Sequence, residues 1–186
     1  SLQRLGRIHN SDDVRRAVSD AIDAGFDNFN LDLMHGLPGQ TVDKARADVA
    51  AAIELGPAHI SWYQLTLEPN TVFHARPPDD LPDDDTLHAI QDAGTERLEG
   101  GGFEQYEVSA WARGGRRCRH NLNYWLFGDY LAVGAGAHGK LSLSSGEVVR
   151  LAKPRHPKRY LDTAGGPSQV SSRHTLSSSD LAGRAY

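Results

Sequence analysis

The chain has 186 residues, of which 39% are hydrophobic, so it is long enough to bury the core of an ordinary globular domain. Its formal net charge of −4 argues against a nucleic-acid-binding protein, because such proteins carry a basic excess. No apolar run is long enough to span a bilayer, and a single cysteine, Cys118, excludes an intrachain disulfide and favours a reducing, cytoplasmic setting.

The first part of the chain alternates between helical and strand patterns. Ser11 is a suitable N-cap for a helix that ends at Gly25, and Thr41 caps a second helix that ends at Gly56. The whole pattern predicts helices over about 11–24, 42–55 and 86–99 and strands over about 28–34, 59–66 and 105–108. Such alternation with short links predicts parallel strands joined by helical crossovers, as in a wound sheet or a β/α barrel.

Polar residues on the first predicted strand favour the barrel. Asn30 and Asp32 lie on one face, opposite Leu31 and Leu33, which would pack beneath the helices. In a barrel Asp32 then faces inward near the C-terminal mouth, where barrel enzymes bind their substrates. There it could accept hydrogen bonds from ligand hydroxyl or amino groups or, equally well, pair with a neighbouring basic residue.

From residue 113 onward the pattern changes. A basic loop is followed by a predicted strand over 130–133, a hairpin over 141–151 and a short helix over 157–163. Residues 165–179 are rich in serine and glycine and are expected to form a loose connection. The first residue is not methionine and both ends interrupt helical patterns, so we interpret the chain as an internal piece of a longer protein.

The glycines Gly134, Gly136 and Gly139 match the spacing of a dinucleotide-binding loop. That loop needs a helix directly after it, whereas residues 140–151 have a strand pattern, and no acidic residue follows at the required distance. The alternatives are a close approach of the backbone to another ligand and a glycine-rich bend between strands.

Residues 120–125, with the sequence HNLNYW, bring an imidazole, amides, a phenol and an indole together. His120 could ligate heme iron, although a lone histidine is more often structural. Tyr124 and Trp125 could stack on a porphyrin or belong to a core. The nearby arginines could hold propionates or form a solvated loop; they are Arg116, Arg117 and Arg119. The sequence contains no catalytic triad pattern, phosphate loop or metal-spaced cluster.

Four segments of the chain together resemble the HemW family of radical SAM heme chaperones, which are similar to oxygen-independent coproporphyrinogen III oxidases. The segments are Leu5–His9, Asn30–Thr41, Trp62–Thr71 and His120–Trp125. The resemblance runs from about Leu2 to Tyr160. It implies an α/β fold, namely part of a radical SAM partial (β/α)6 TIM-like barrel followed by a β-hairpin extension.

The resemblance also implies a division of the chain and its sites. Residues 1–112 would be the C-terminal half of the barrel, 113–164 the region of the HNxxYW motif, the glycines and the hairpin, and 165–186 a linker towards a further C-terminal domain. By position, the implied S-adenosylmethionine contacts are Arg7, Asp32, Thr66 and His138. The implied heme-binding residues are His120, Asn121, Tyr124 and Trp125.

The resemblance implies three cofactors or ligands for the parent protein: S-adenosylmethionine, a [4Fe–4S] cluster and heme. The family's three cluster cysteines would lie upstream of Ser1, and Cys118 cannot replace them, so no metal ligands are expected here and the chain alone should lack radical SAM activity. The expected function is binding of heme and its transfer to acceptor proteins, such as respiratory ones. The alternative is an oxygen-independent coproporphyrinogen III oxidase of porphyrin biosynthesis.

Overall fold

A computed structural model of the chain describes residues 10–182, which form two compact units that divide between Cys118 and Arg119. Each unit has its own sheet. In the described part of the chain, no helix combines the length and the apolar character that a membrane span requires. Arg7, a predicted cofactor contact, lies outside the described residues.

The first unit begins with the predicted alternation of helices and strands. Its elements are α1 (Ser11–Asp23), β1 (Asn30–His35), α2 (Val42–Glu54), β2 (His59–Gln64), α3 (Val72–Ala75), α4 (Asp84–Gly100), β3 (Glu104–Gln105) and β4 (Ala110–Ala112). Thr41 caps α2 as predicted. The cap of α1 was predicted wrongly, because Asn10 rather than Ser11 accepts bonds from the backbone amides of Asp12 and Asp13.

The sheet of the first unit has the order β1-β2-β4-β3. Strands β1 and β2 are parallel as predicted, with Asn30 beside His59. A third strand forms at the start of the predicted range 105–108 and runs in the same direction as β1 and β2. It does not pair with them as expected, because the chain reverses after β3 and the antiparallel strand β4 lies between β2 and β3. The reversal follows from a tight turn, in which the amide of Tyr106 donates to the carbonyl of Ala110.

The core of this unit lies between the sheet and the helices α2 and α4. Trp62 of β2 and Trp111 of β4 are each 1% exposed and pack with Val49 and Leu98 from the two helices. Helix α4 comes especially close to the sheet at Gly94, where an added Cβ would lie 2.5 Å from the Trp62 ring. The apolar face of β1 and β2 is therefore covered by helices, and the opposite face is left for polar groups.

The second unit combines short helices with a three-stranded antiparallel sheet of order β5-β6-β7. Its elements are α5 (Arg119–Trp125), β5 (His138–Ser142), β6 (Val148–Ala152), α6 (Pro157–Asp162), a 3-10 helix (Pro167–Gln169), β7 (Ser172–Thr175) and α7 (Ser178–Ala182). The predicted hairpin corresponds to β5 and β6, and the predicted short helix to α6.

Two predictions for this unit are wrong. The expected strand over 130–133 is reduced to one bridge between Tyr130 and Lys140. Residues 165–179 are not a loose connection, because they contain β7, which extends the hairpin. Backbone bonds from Ser171 to Ala152 and from Leu176 to Val148 bracket that pairing, and all four side chains of β7 are exposed, which explains why a polar sequence forms a strand there.

Candidate functional site

The open face of the first sheet carries a network of hydrogen bonds that ends at Asp32. Leu31 and Leu33 pack against the core, so Asn30 and Asp32 lie on the opposite face, as their alternation predicts. The Asn30 side-chain amide donates to Asp32 Oδ1 at 2.8 Å, and its carbonyl oxygen accepts from Ser61 Oγ at 3.1 Å. The sequence pattern predicts that Asp32 lies at the end of its strand. Asp32 is instead the third of six residues in β1 and lies in mid-strand.

His59, which is 5% exposed, continues this network on the same face of the sheet. Its Nδ1 lies 2.6 Å from Asn30 Oδ1, an oxygen that can only accept, so Nδ1 carries the proton. Its Nε2 lies 2.5 Å from the Tyr106 hydroxyl and accepts from it. Burial lowers the pKa of His59, while Glu107 and Asp32 act in the opposite direction. A neutral imidazole therefore holds Asn30, which in turn orients the exposed carboxylate of Asp32.

The alternative role for Asp32, an ion pair with a basic neighbour, does not occur within residues 10–182. Its hydrogen-bond partner there is the neutral amide of Asn30. Within the described residues, the exposed carboxylate of Asp32 therefore has no cationic partner.

Thr66 lies elsewhere in this unit. It follows β2, donates from Oγ1 to Glu68 Oε1 at 3.1 Å and lines a cavity of about 550 Å³ to which Asp32 does not contribute. The same cavity is lined by His35, for which the sequence pattern predicts no role. The His35 ring is 1% exposed and stacks on Trp62 with 4.3 Å between ring centroids.

In the second unit, the four side chains predicted to bind heme lie on the seven-residue helix α5. His120 and Tyr124 are one helical turn apart, and their rings meet edge to face with centroids 4.9 Å apart. Tyr124 and Trp125 are 47% and 56% exposed, so neither belongs to a core. His120 is exposed too, and within residues 10–182 its ring nitrogens have no hydrogen-bond partner.

The glycine-rich segment 134–139 forms a bend that bonds to its own unit. The amide of Gly134 donates to the Tyr160 hydroxyl at 3.1 Å, and that of Gly136 to the Pro154 carbonyl at 2.9 Å. A Cβ on Gly139 would lie 2.9 Å from the Ala132 nitrogen, so the close approach here is to protein backbone. These contacts favour the bend over the ligand-binding loop. His138 is exposed at the start of β5.

The arginine cluster gives little support to a propionate-binding site. Arg116 donates to the Asp27 carbonyl at 2.7 Å and lies 3.4 Å from its carboxylate. Arg117 lies 3.6 Å from Glu104. Two of the three guanidinium groups therefore already have acidic partners in the first unit.

The described residues offer no ready site for a metal cluster. No group of three or more His, Cys, Asp or Glu residues in that part of the chain is arranged to hold a metal ion. The whole sequence has one cysteine, and an iron–sulfur cluster normally needs several thiolates. The residues present therefore do not fit a [4Fe–4S] cluster.

Most of the chain is similar in sequence to curated heme chaperones, although no family model matches it. It is 59% identical over 160 residues, 86% of this chain, to the heme chaperone HemW of Haemophilus influenzae, and 52% identical over the same length to that of Escherichia coli. HemW of Mycobacterium tuberculosis is 38% identical over 168 residues, 89% of this chain. The chain spans 42% of the length of each of these relatives.

A solved structure has the same fold. Coproporphyrinogen III oxidase (HemN) of Escherichia coli, a radical SAM enzyme, superimposes with a TM-score of 0.77 at 20% identity. The match covers 98% of this chain and 44% of the enzyme. This likeness confirms the predicted fold class: a mixed α/β structure that corresponds to part of the radical SAM fold.

Proposed function

The chain belongs to the HemW family, and from that premise we propose that the full-length protein containing it binds heme and transfers it to acceptor proteins. The chain spans 42% of the length of its HemW relatives, so this proposal concerns the longer protein. The observation that carries it is helix α5, which presents two exposed aromatic rings and an imidazole whose nitrogens make no hydrogen bond within residues 10–182. Acceptors among respiratory proteins are the class we expect.

Heme is the cargo in this proposal, and His120 is its proposed axial ligand. A neutral imidazole without a competing hydrogen bond is a good donor to iron. The exposed rings of Tyr124 and Trp125 supply flat apolar surface for a porphyrin. Asn121, also on α5, completes the proposed set.

We assign the first unit to cofactor binding in the parent protein. Asp32, with its carboxylate oriented by Asn30, would accept hydrogen bonds from hydroxyl or ammonium groups of S-adenosylmethionine. Arg7 and Thr66 remain proposed contacts on the strength of their positions in the sequence, as does His138, which belongs to the second unit. The cluster that reduces S-adenosylmethionine would take its thiolates from outside this chain, because Cys118 is its only cysteine.

The second candidate function is that of the structural neighbour, anaerobic oxidation of coproporphyrinogen III. Its support is the common fold. Sequence favours the chaperone, since identity is 59% to one HemW protein and 20% to the oxidase. Fold alone does not determine function, whereas the residues of a site do.

The His120→Ala variant of the full-length protein tests the heme proposal. Loss of the ligand should weaken heme binding by more than about tenfold, because even outer-shell partners of a metal ligand contribute that much. The Soret band should also change. His156→Ala is the matched control, since His156 is exposed in the same unit and makes no side-chain capping bond. Equal affinity and an equal Soret band for His120→Ala and the wild type would refute the assignment.

An anaerobic assay separates the two functions. The full-length protein, supplied with S-adenosylmethionine and a reductant, should bind heme but leave coproporphyrinogen III unconverted. Decarboxylation of the porphyrinogen at a catalytic rate would favour the oxidase instead.

A further inference from the structure

Lys140 is a buried cation in the second unit. It lies in β5 and is 1% exposed, although lysine is almost never fully buried unless its charge is paired. Its Nζ donates to Asp129 Oδ1 at 2.8 Å and lies 3.9 Å from the centroid of the Phe127 ring. An ion pair and a cation–π contact thus replace the water that this ammonium group has lost.

Asp129 fixes that lysine and also connects α5 to the sheet. Its carboxylate accepts two further bonds, from the Ser142 amide at 2.8 Å and the Ser142 hydroxyl at 2.9 Å. The bond from Lys140 is the main cause that lowers the pKa of Asp129 to about 2, so the pair stays charged at neutral pH. The Asp129 carbonyl in turn accepts from the Asn123 side chain of α5 at 3.1 Å.

The turn between α5 and Asp129 is tightly constrained. Phe127 has a left-handed φ of 57°, which is uncommon for a residue with a side chain. The amide of Gly128 donates to the Asn123 carbonyl at 2.6 Å, and a Cβ on Gly128 would lie 2.0 Å from Asn123 Oδ1. These contacts restrict the backbone conformation of the turn that connects the end of α5 to Asp129.

A continuous line of contacts runs from Lys140 to the imidazole of His120. The backbone amide and carbonyl of Lys140 pair with those of Tyr130, both at 3.0 Å. The Tyr130 ring packs on Tyr124 with 4.7 Å between centroids, and Tyr124 meets the edge of His120. We propose that Lys140 and Asp129 are positioning residues for His120, which present its imidazole to heme iron in one orientation. This inference rests on the proposed role of His120.

The Lys140→Met variant of the full-length protein tests the inference. Methionine keeps the length of the side chain but removes the ammonium group, so Asp129 loses its partner and the turn loses its anchor. Heme affinity should fall about tenfold, the lower end of the range for residues that orient a metal ligand. At saturating heme the Soret band should move towards that of His120→Ala. Lys158→Met is the matched control, because Lys158 is an exposed lysine of α6.

Combining the two substitutions shows whether Lys140 acts through His120. In a His120→Ala background, Lys140→Met should leave the residual heme affinity and the Soret band unchanged, whereas a general loss of structure would weaken binding in both backgrounds. An effect of His120→Ala without an effect of Lys140→Met would overturn the inference and leave the proposed function intact. No effect of His120→Ala would overturn both.

A second variant keeps the test valid if Lys140→Met does not fold, as judged by circular dichroism. Tyr130→Leu removes the ring contact with Tyr124 but leaves the backbone pairing and the ion pair in place. At saturating heme its Soret band should move towards that of His120→Ala. A wild-type band and wild-type affinity for a folded Tyr130→Leu protein would contradict the proposed line of contacts.

Discussion

His35 is a buried imidazole that the fold keeps neutral. Its ring stacks on Trp62, and burial lowers its pKa from 6.5 to about 4, although a hydrogen bond with Gln91 acts in the opposite direction. The unfolded chain therefore binds a proton at this side chain between pH 6.5 and 4, while the folded chain does not. The stability from this group is fully present above pH 6.5 and is lost as the pH falls towards 4.

We expect the free energy of unfolding of the full-length protein to fall by about 3 kcal/mol over this range because of His35 alone. His35→Phe keeps an aromatic ring on Trp62. Between pH 6.5 and 4 this variant should lose about 3 kcal/mol less of its free energy of unfolding than the wild type does. The variant should still lose some stability as the pH falls, because burial also lowers the pKa of His59. Urea unfolding at a series of pH values measures this.

The control for that series is His88→Phe, because His88 lines the same cavity but is exposed on α4. Its pH dependence should match that of the wild type. If the free energy of unfolding of His35→Phe depended on pH as that of the wild type does, His35 would not be the buried neutral group described above.

At the scale of residues, the sequence predicts which face of a strand a side chain lies on better than it predicts the hydrogen-bond partners of that side chain. The alternation along β1 placed Asp32 opposite Leu31 and Leu33, because strand geometry alone determines that. The contact between His59 and Asn30, which orients Asp32, depends on the register between β1 and β2. The alternation along one strand does not specify that register. His35 and Lys140 were missed for the same reason, since their burial depends on residues distant in sequence.

At the scale of elements, the packing of α4 on β2 depends on a missing side chain. An added Cβ at Gly94 would lie 2.5 to 2.8 Å from three atoms of the Trp62 ring, which is buried and cannot move away easily. Gly94→Ala should therefore destabilise the protein by about 1–3 kcal/mol, the usual cost of overpacking a core. Urea unfolding followed by tryptophan fluorescence would detect the change.

Gly100 provides the matched control on the same helix. A Cβ there would meet no atom within 4 Å, so Gly100→Ala should be neutral or stabilise by about 0.5 kcal/mol through reduced chain entropy. Equal unfolding midpoints for the two variants would contradict the close packing of α4 on Trp62.

Long periodic patterns predicted most of the first unit, and turn residues predicted the short hairpin β5–β6 of the second. Helices α2 and α4 and the parallel pair β1 and β2 have clear caps or alternation, so local rules suffice. Strands β3, β4 and β7 have two to four residues each, too few for a recognisable alternation, and β4 and β7 pair with strands distant in sequence. Helix α5 was not predicted, because seven residues with several aromatic and amide side chains give no helical period.

At the scale of the whole molecule, the chain contains parts of two proposed sites and a single cysteine. One cysteine cannot supply the several thiolates that an iron–sulfur cluster normally needs. Anaerobic reconstitution of this chain with iron and sulfide should therefore give no stoichiometric cluster, as measured by iron and sulfide content. The full-length protein, treated in parallel, should gain one. A stoichiometric cluster on this chain alone would contradict the prediction.

The shortness of α5 has a kinetic consequence. Isolated helices below about 12–15 residues are marginal in water, so the seven residues of α5 owe their order to the turn and the sheet beside them. Their backbone amides should exchange with deuterium well before those of α2 and α4, which enclose a core. If α5 binds heme as proposed, local opening would expose or release the porphyrin without unfolding the sheet, and heme binding would slow deuterium uptake in this one segment.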